Sequence, residues 1–328
     1  AFIYYAGTAK VKPLLLVPAL LLLIPNNVAI VGESTALLIQ GNVPQLGLDF
    51  NSRAKEVFNN HVKQSKIALA ENKKVDFIVW PENSVDVDPY TNKDVFDQLQ
   101  AFDQPLIIGA IVDKDRKLLN TSILWRKNTQ EIYVKQHLTP FGEYIPLRSV
   151  ASKISPLVDR VNDFSPGNQG KVFAIGAARI APIICFELID DQILRDGANT
   201  SNLFVVQTNS ATFGKSAESS QQLSITRVRA IEHSRNVLSV STTGYSAVID
   251  YQGKVVQRTS MATAEHLYAT VGLIDQKSVR DSAGNWASVG ILIWLLLVAR
   301  RVRILSGRDP PHASRAHRAR FAAVIPGR

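Results

Sequence analysis

The chain has 328 residues, of which 46% are hydrophobic, and this suffices for one large domain, or two small ones, with a sizeable core. Its formal charge of +9 is concentrated at the carboxyl end, since eight arginines and one aspartate in residues 300–328 give that segment +7 and leave +2 for the rest. The body of the sequence has no aromatic–basic stripe and no nucleic-acid motif, so nucleic acid is not an expected partner.

The amino-terminal segment is apolar over residues 14–24 and follows Lys10 and Lys12. It is short, contains Pro18 and lacks a convincing small-residue cleavage site, so it does not favour a signal peptide. We expect residues 1–27 to be an apolar membrane flank. Because the sequence starts without a methionine, we also expect the chain to be a fragment.

Strands and helices alternate through the central region, which indicates an α/β fold. The patterns predict strands at 36–40, 77–80, 106–112, 121–126, 131–135, 179–184, 203–208, 237–241, 246–250, 254–257 and 267–271. They predict helices at 51–71, 93–102, 190–196 and 217–234. The segment 136–170 is punctuated by prolines and is predicted to be mostly loop.

The carboxyl end begins with a charge-free run of fourteen residues, 286–299, that contains two tryptophans. A membrane span needs about 20 residues, so the run is short, but a tilted or interfacial helix is compatible with it. Arginines follow at once, as expected of a cytoplasmic anchor. We predict a membrane helix at 281–299 and a disordered basic tail at 300–328; the alternative is a buried core helix followed by the same tail.

Three chemically capable residues each follow an apolar, strand-like run. Glu82 comes after 77–80 and Pro81, Lys135 ends 131–135, and Cys185, the single cysteine, closes 179–184. Each has an ordinary structural interpretation: a loop carboxylate, a solvated lysine and a small buried hydrophobe. Sites in open α/β sheets form beyond the carboxyl ends of the strands, so we predict that the three share one rim.

The contexts of these residues resemble the nitrilase, or carbon–nitrogen hydrolase, superfamily. The motifs are closer to one branch of this superfamily, the apolipoprotein N-acyltransferases, of actinobacterial type. The run PFGEYIP is the motif most specific for that branch. The segments that carry the resemblance are 39–45, 80–84 (WPENS), 135–147 (KQHLTPFGEYIPL), 185–187 (CFE), 208–210 (TNS), 227–236 (RVRAIEHSRN) and 242–247 (TTGYSA). The chain departs from many members at Phe186, where they have tyrosine, and at Ser210 and Thr212, where they have an acidic residue and tryptophan.

The resemblance implies a four-layer α-β-β-α sandwich over residues 28–280, preceded in the family by several membrane helices. It implies that Cys185 is the nucleophile, Glu82 the base and Lys135 the oxyanion stabiliser. The supporting residues that it implies are Glu143, Glu187, Phe186, Tyr144 and Asn209.

The resemblance also implies substrates and a location. The acyl donor would be a membrane phospholipid that leaves a thioester on Cys185, and the acceptor would be the α-amino group of the diacylglyceryl-modified N-terminal cysteine of an apolipoprotein. No metal or organic cofactor is implied. The expected location is the bacterial plasma membrane, with the catalytic domain on the extracytoplasmic side.

Residues 136–170 contain several apolar side chains, and we predict that they help to form a mobile, lipid-facing lid. Two alternatives stay open at this stage. A soluble nitrilase or amidase would use the same three residues with water as acceptor and would not depend on lipid. A non-catalytic, membrane-tethered scaffold would place Cys185 in a packed core, with Glu82 and Lys135 elsewhere.

Overall fold

The structure is a computed structural model and describes residues 28–43, 55–152, 163–214, 216–284 and 286–306. Within these ranges, the residues from Val28 to Ser282 form one compact unit, and those from Ala283 onward belong to a second. The predicted flank 1–27 lies outside the described residues, and so does 307–328 of the predicted basic tail.

Two six-stranded sheets form the centre of the first unit. The first sheet contains β1 (Ile30–Gln40), β2 (Phe77–Val79), β3 (Leu106–Lys114), β4 (Lys117–Trp125), β5 (Gln130–Val134) and β12 (Glu265–Ile274), in the spatial order β12-β1-β2-β3-β4-β5. The second contains β6 (Phe173–Ile175), β7 (Ala178–Ile184), β8 (Leu203–Thr208), β9 (Val237–Ser241), β10 (Ala247–Ile249) and β11 (Val255–Arg258), in the order β11-β10-β9-β8-β7-β6.

The helices of the described residues are α1 (Glu56–Leu69), α2 (Lys93–Gln100), α3 (Arg148–Ala151), α4 (Asp191–Thr200), α5 (Glu218–His233), α6 (Val279–Ala283) and α7 (Trp286–Ser306). Short 3₁₀ helices cover Cys185–Ile189 and Ala211–Phe213. The predicted helix 51–71 is confirmed as α1, although residues 51–54 lie outside the described part. The sequence did not predict β6, α3, α6 or either 3₁₀ helix.

Three hydrophobic clusters define the layers. The central cluster lies between the sheets, with Leu38 and Val79 from the first and Ile184 and Val205 from the second. A second cluster packs α1 and α2 against the outer face of the first sheet, and a third packs α4 and α5 against the outer face of the second. Both sheets are thus covered on both faces, so β8 is buried at every residue. The predicted four-layer α-β-β-α sandwich is confirmed.

The parallel strands of each sheet bring their carboxyl ends to one edge. In the first sheet β1, β2 and β3 run parallel, and in the second β7, β8 and β9 do so. The two sheets are also joined near this edge, because Gln207 of β8 donates a hydrogen bond of 2.7 Å to the carbonyl of Trp80, directly after β2. The ends of β2 and β8 are therefore held together.

The second unit contributes helix α7, which begins at Trp286 and passes through Arg300, Arg301 and Arg303 before it ends at Ser306. Most of its large apolar side chains between Trp286 and Leu297 are exposed. The run predicted from the sequence is therefore helical. Among the described residues, however, no helix is both long enough and apolar enough to cross a membrane.

Candidate active site

Glu82 lies just beyond the end of β2 and is only 5% exposed. The chain leaves the sheet at Pro81, which cannot donate a ladder hydrogen bond. Gly109 of β3 packs against this turn so closely that a Cβ atom there would lie 2.4 Å from the Pro81 carbonyl oxygen and 2.5 Å from the Glu82 Cα. The missing side chain at Gly109 therefore lets the backbone of this turn lie against β3.

Lys135 follows β5 and is 1% exposed. Its backbone N–H donates to the carbonyl of Asn120, and its own carbonyl accepts from Gly167, so the residue is held on both sides. Its ammonium group lies 3.1 Å from Oε1 of Glu82 and 2.8 Å from Oε2 of Glu143. Two buried carboxylates thus surround one buried cation.

Asn120, in the middle of β4, completes this arrangement, although no sequence motif indicated it. Its Nδ2 donates to Oε1 of Glu82 at 2.8 Å and to Oε1 of Glu143. Each carboxylate therefore receives hydrogen bonds from both the Lys135 ammonium and the Asn120 amide. The available signal was a lone asparagine within a run of strand-forming residues, since buried amides in strands need partners.

Cys185 follows β7 directly and opens a 3₁₀ helix, with φ at +48°. A non-glycine residue in this left-handed region costs about 1–3 kcal/mol, and such strain clusters at functional sites. The residue is partly exposed, its thiol receives a hydrogen bond of 3.4 Å from Nε2 of Gln222, and the charges of Glu82 and Lys135 both act on the thiol. The three predicted catalytic residues therefore converge, which a purely structural role would not require.

The electrostatics of the site favour a protonated thiol at rest. Burial raises the pKa of the Cys185 thiol well above its usual value, the charge of Glu82 raises it further, and Lys135 opposes both. Burial lowers the pKa of Lys135, but the charges around it, above all that of Glu82, prevail and hold this pKa above its usual value. A thiol in this state has to lose its proton before or as it reacts, and the Glu82 carboxylate, whose charge acts on it, is the nearby group that can accept a proton.

Glu187, two residues after Cys185, is fully buried. Its carboxylate accepts hydrogen bonds from the Tyr133 hydroxyl at 2.7 Å and from the backbone N–H groups of Gln136 at 2.7 Å and Ile184 at 2.8 Å. Burial raises the pKa of Glu187. This carboxylate connects the segment after Lys135 to the turn that carries Cys185, and so it positions both.

The contacts of the other three predicted supporting residues are with residues outside the group formed by Glu82, Lys135, Asn120 and Cys185. The ring of Phe186 packs edge-to-face on His137, with centroids 5.2 Å apart. Tyr144 lines a cavity of about 890 Å³ whose lining includes none of Glu82, Lys135 and Cys185. Asn209 accepts hydrogen bonds from the Thr242 hydroxyl and the Ala211 N–H, which stabilises the loop after β8.

A thiol beside a carboxylate and an ammonium group is suited to nucleophilic acyl chemistry. The carboxylate can take the thiol proton and return it to a leaving group, and the ammonium can stabilise negative charge on a tetrahedral intermediate. In the described residues, no group of three or more histidine, cysteine, aspartate or glutamate side chains is arranged to hold a metal ion.

Residues 35–281 match the family model described as Carbon-nitrogen hydrolase. Among curated proteins, the apolipoprotein N-acyltransferase of Mycolicibacterium smegmatis is 35% identical over 296 residues, which are 84% of this chain and 48% of that protein. The apolipoprotein N-acyltransferase of Rickettsia typhi is 27% identical over 277 residues, 80% of this chain and 54% of that protein. The chain thus spans about half the length of the curated relatives it matches.

Solved structures with the same fold include a variant of the amidase from Nesterenkonia sp. AN1, with acrylamide added at its active-site cysteine. The match has a TM-score of 0.57 at 14% identity and covers 77% of this chain and 99% of the amidase chain. The carbon–nitrogen hydrolase from Helicobacter pylori G27 has a TM-score of 0.56 at 15% identity, with 84% and 95% covered. These similarities support the fold alone.

Proposed function

Because the chain belongs to the carbon–nitrogen hydrolase family, we propose that it is an N-acyltransferase that moves an acyl chain from a membrane phospholipid to an apolipoprotein. The acceptor is the α-amino group of the lipid-modified N-terminal cysteine. The observation that carries the proposal is the convergence of Glu82 and Lys135 on the only cysteine of a chain whose curated relatives are named apolipoprotein N-acyltransferase.

In the first step, Sγ of Cys185 attacks the ester carbonyl of the phospholipid while Glu82 takes the thiol proton. Lys135 stabilises the oxyanion, and the loss of one such donor typically lowers a rate by about 10²–10³-fold. The ester C–O bond then breaks, Glu82 returns its proton to the departing alcohol, and a thioester remains on Cys185.

In the second step, the amine of the acceptor attacks the thioester carbonyl. Glu82 takes a proton from the attacking nitrogen and delivers it to Sγ as the C–S bond breaks, which restores the thiol and leaves an amide. Glu143 holds the ammonium of Lys135 from its other side throughout, and Glu187 holds the nucleophile's turn.

Exposed apolar side chains beside the site support a lipid substrate. Phe141 is 69% exposed and Leu147 is 79% exposed, whereas Ile145 between them is buried. Leu157 and Val158, also part of the predicted lid, lie outside the described residues. We propose that the segment 136–170 faces lipid and that the enzyme acts at the outer face of the bacterial plasma membrane.

The test is covalent labelling. The whole chain, reconstituted in vesicles with an acyl-labelled phospholipid, should acquire a hydroxylamine-sensitive acyl adduct on Cys185, detected by mass spectrometry. Cys185→Ser should acquire no such adduct. A protein that hydrolyses amides without lipid and never carries the label would be a hydrolase, and the transferase proposal would fail.

Glu82→Gln tests the base separately. General-base contributions are typically about 10²–10⁴-fold, so the variant should form the adduct at least about 10²-fold more slowly. Glu33→Gln, on the exposed start of β1, is the matched control and should label normally. An unchanged labelling rate in Glu82→Gln would show that another group removes the thiol proton.

A further inference from the structure

A second carboxylate reaches the nucleophile from helix α5. Glu218 opens this helix, and Gln222 lies one turn later, so the two side chains share a helix face. Nε2 of Gln222 donates to Sγ of Cys185 at 3.4 Å, and this contact places that face at the sulfur. Glu218 acts electrostatically on both Cys185 and Glu82, as expected of a carboxylate beside the site.

The surroundings of Glu218 leave its charge largely uncompensated. The carboxylate is half-buried, and its Oε2 atom is buried without a hydrogen-bond partner. No salt bridge among the described residues includes it, whereas Glu82 and Glu143 share Lys135. Burial raises the pKa of Glu218, as for a carboxylate that lacks a cation.

This charge does not assist formation of the thioester. A negative group near Cys185 raises the pKa of the thiol and therefore opposes its ionisation. The negative charge of a carboxylate in this position becomes energetically favourable only when a cation binds beside it. The proposed acceptor supplies one, since a free α-amino group is largely protonated at neutral pH.

We propose that Glu218 binds the ammonium group of the acyl acceptor and removes its first proton. This inference rests on the proposed function and concerns only its second step. The ammonium loses one proton to the Glu218 carboxylate, which releases it to water, and the neutral amine attacks the thioester carbonyl. Glu82 carries the second nitrogen proton to Sγ as the C–S bond breaks, so the products are the amide, the free thiol and one released proton.

The test measures the two steps separately and compares a charged with an uncharged acyl acceptor. Glu218→Gln, Glu218→Asp and the control Glu33→Gln are labelled with phospholipid in vesicles, and the acyl-enzyme is then mixed with one of two nucleophiles. One is a synthetic peptide with an N-terminal S-(diacylglyceryl)cysteine, and the other is hydroxylamine, which is largely uncharged at neutral pH. Single-turnover loss of the label is followed by mass spectrometry.

We expect Glu218→Gln to form the adduct at least as fast as the unaltered enzyme, which also shows that it is folded. Its transfer to the peptide should fall at least about 10²-fold, the usual size of a general-base contribution. Its reaction with hydroxylamine should be unchanged. Glu218→Asp keeps the charge and should recover part of the transfer rate, and Glu33→Gln should behave normally throughout.

Three results would overturn the inference while the proposed function stands. They are normal transfer to the peptide in Glu218→Gln, an equal loss with peptide and hydroxylamine, and a loss of adduct formation in that variant, which would assign Glu218 to the first step. Absence of any adduct in the unaltered enzyme would instead overturn the proposed function, and this inference with it.

Discussion

The distance between Glu82 and the sheet depends on one glycine in the neighbouring strand. In Gly109→Ala the new methyl group would lie within 2.5 Å of backbone atoms of Pro81 and Glu82, so the turn must shift. Overpacking of this kind typically costs about 1–3 kcal/mol. We expect a loss of stability of that size in urea unfolding and adduct formation slowed at least about tenfold.

The matched control for this prediction is Gly170→Ala, where an added Cβ would meet no atom within 4 Å. It should label and unfold like the unaltered protein. If Gly109→Ala formed the adduct at the normal rate, the close approach of the two backbones would have no part in positioning the base.

At the same scale, the sequence identified the residues that carry charge or a thiol but not those that hold them in place. Glu82, Lys135 and Cys185 were identifiable because each breaks an apolar run at a strand end. Asn120 was not, because its role depends on two carboxylates that are 38 positions earlier and 23 positions later in the chain. Glu218 was missed for the same reason, since at a helix start it resembles an ordinary first-turn acid.

At the scale of elements, the residue that caps helix α4 also contacts a residue near Cys185. Asp190 caps it, accepting from the N–H groups of Gln192 and Ile193, and its other oxygen lies 2.8 Å from Nδ1 of His137, the residue that packs on Phe186. Asp190→Ala should cost about 1 kcal/mol of unfolding free energy through loss of the cap. It should also slow adduct formation several-fold, because His137 loses its partner beside the turn that carries Cys185.

The matched control is Asn92→Ala. The Asn92 side chain caps α2 by accepting a hydrogen bond from the Val95 N–H, and α2 lies in the other outer layer, against the first sheet. This variant should lose a similar amount of stability in urea unfolding and keep its labelling rate. Equal activity in the two variants would mean that the contact between His137 and Asp190 has no influence on Cys185.

Element boundaries were predictable where a pattern extended over a whole strand or helix. The strand 203–208 has the boundaries that the sequence predicted, and α5 differs by one residue at each end. The 3₁₀ helix at Cys185 was not predictable, because the Glu187 carboxylate that supports it is held by Tyr133 of β5, in the other sheet, and by Gln136 in the segment that follows β5. The strand β6 is only three residues long and exists through its pairing with β7 across a turn at Gly176, where φ is +56°.

At the scale of the whole molecule, a buried histidine makes folding stability depend on pH. His61 of α1 is fully buried, which lowers its pKa from 6.5 to about 4. The unfolded chain therefore binds a proton that the folded chain does not between these values. Proton binding at His61 therefore leaves the free energy of unfolding almost unchanged above pH 6.5 and lowers it as the pH falls towards 4. By pH 5 the decrease in unfolding free energy is about 2 kcal/mol.

Urea unfolding of the unaltered protein and of His61→Gln, each at pH 7.5 and pH 5, isolates this effect from the carboxylates that also titrate. The decrease in unfolding free energy between the two conditions should be smaller in the variant by about 2 kcal/mol. An equal decrease in both proteins would mean that His61 is protonated in the fold.

The global architecture was only partly predictable from the residues themselves. Alternation of strands and helices indicated an α/β fold, but nothing local distinguishes one open sheet from two facing sheets. That distinction came from the resemblance, and it depends on long-range pairing such as that of β1 with β12, whose partners Ile30 and Ile274 lie at opposite ends of the unit. The contact of Gln207 with the Trp80 carbonyl likewise depends on the completed sandwich.

The end of the long segment that follows Lys135 is hydrogen-bonded back to residues near its start. The N–H of Gly167 donates to the carbonyl of Lys135, that of Ser165 donates to Leu118, and that of Phe164 donates to Glu143. The entrance and exit of the segment are thus anchored on the same few backbone groups. If the proposed function holds, replacing the stretch between Leu147 and Asp163 with that of a homologue should change the lipid preference in the labelling assay, while the backbone hydrogen bonds that hold Lys135 remain.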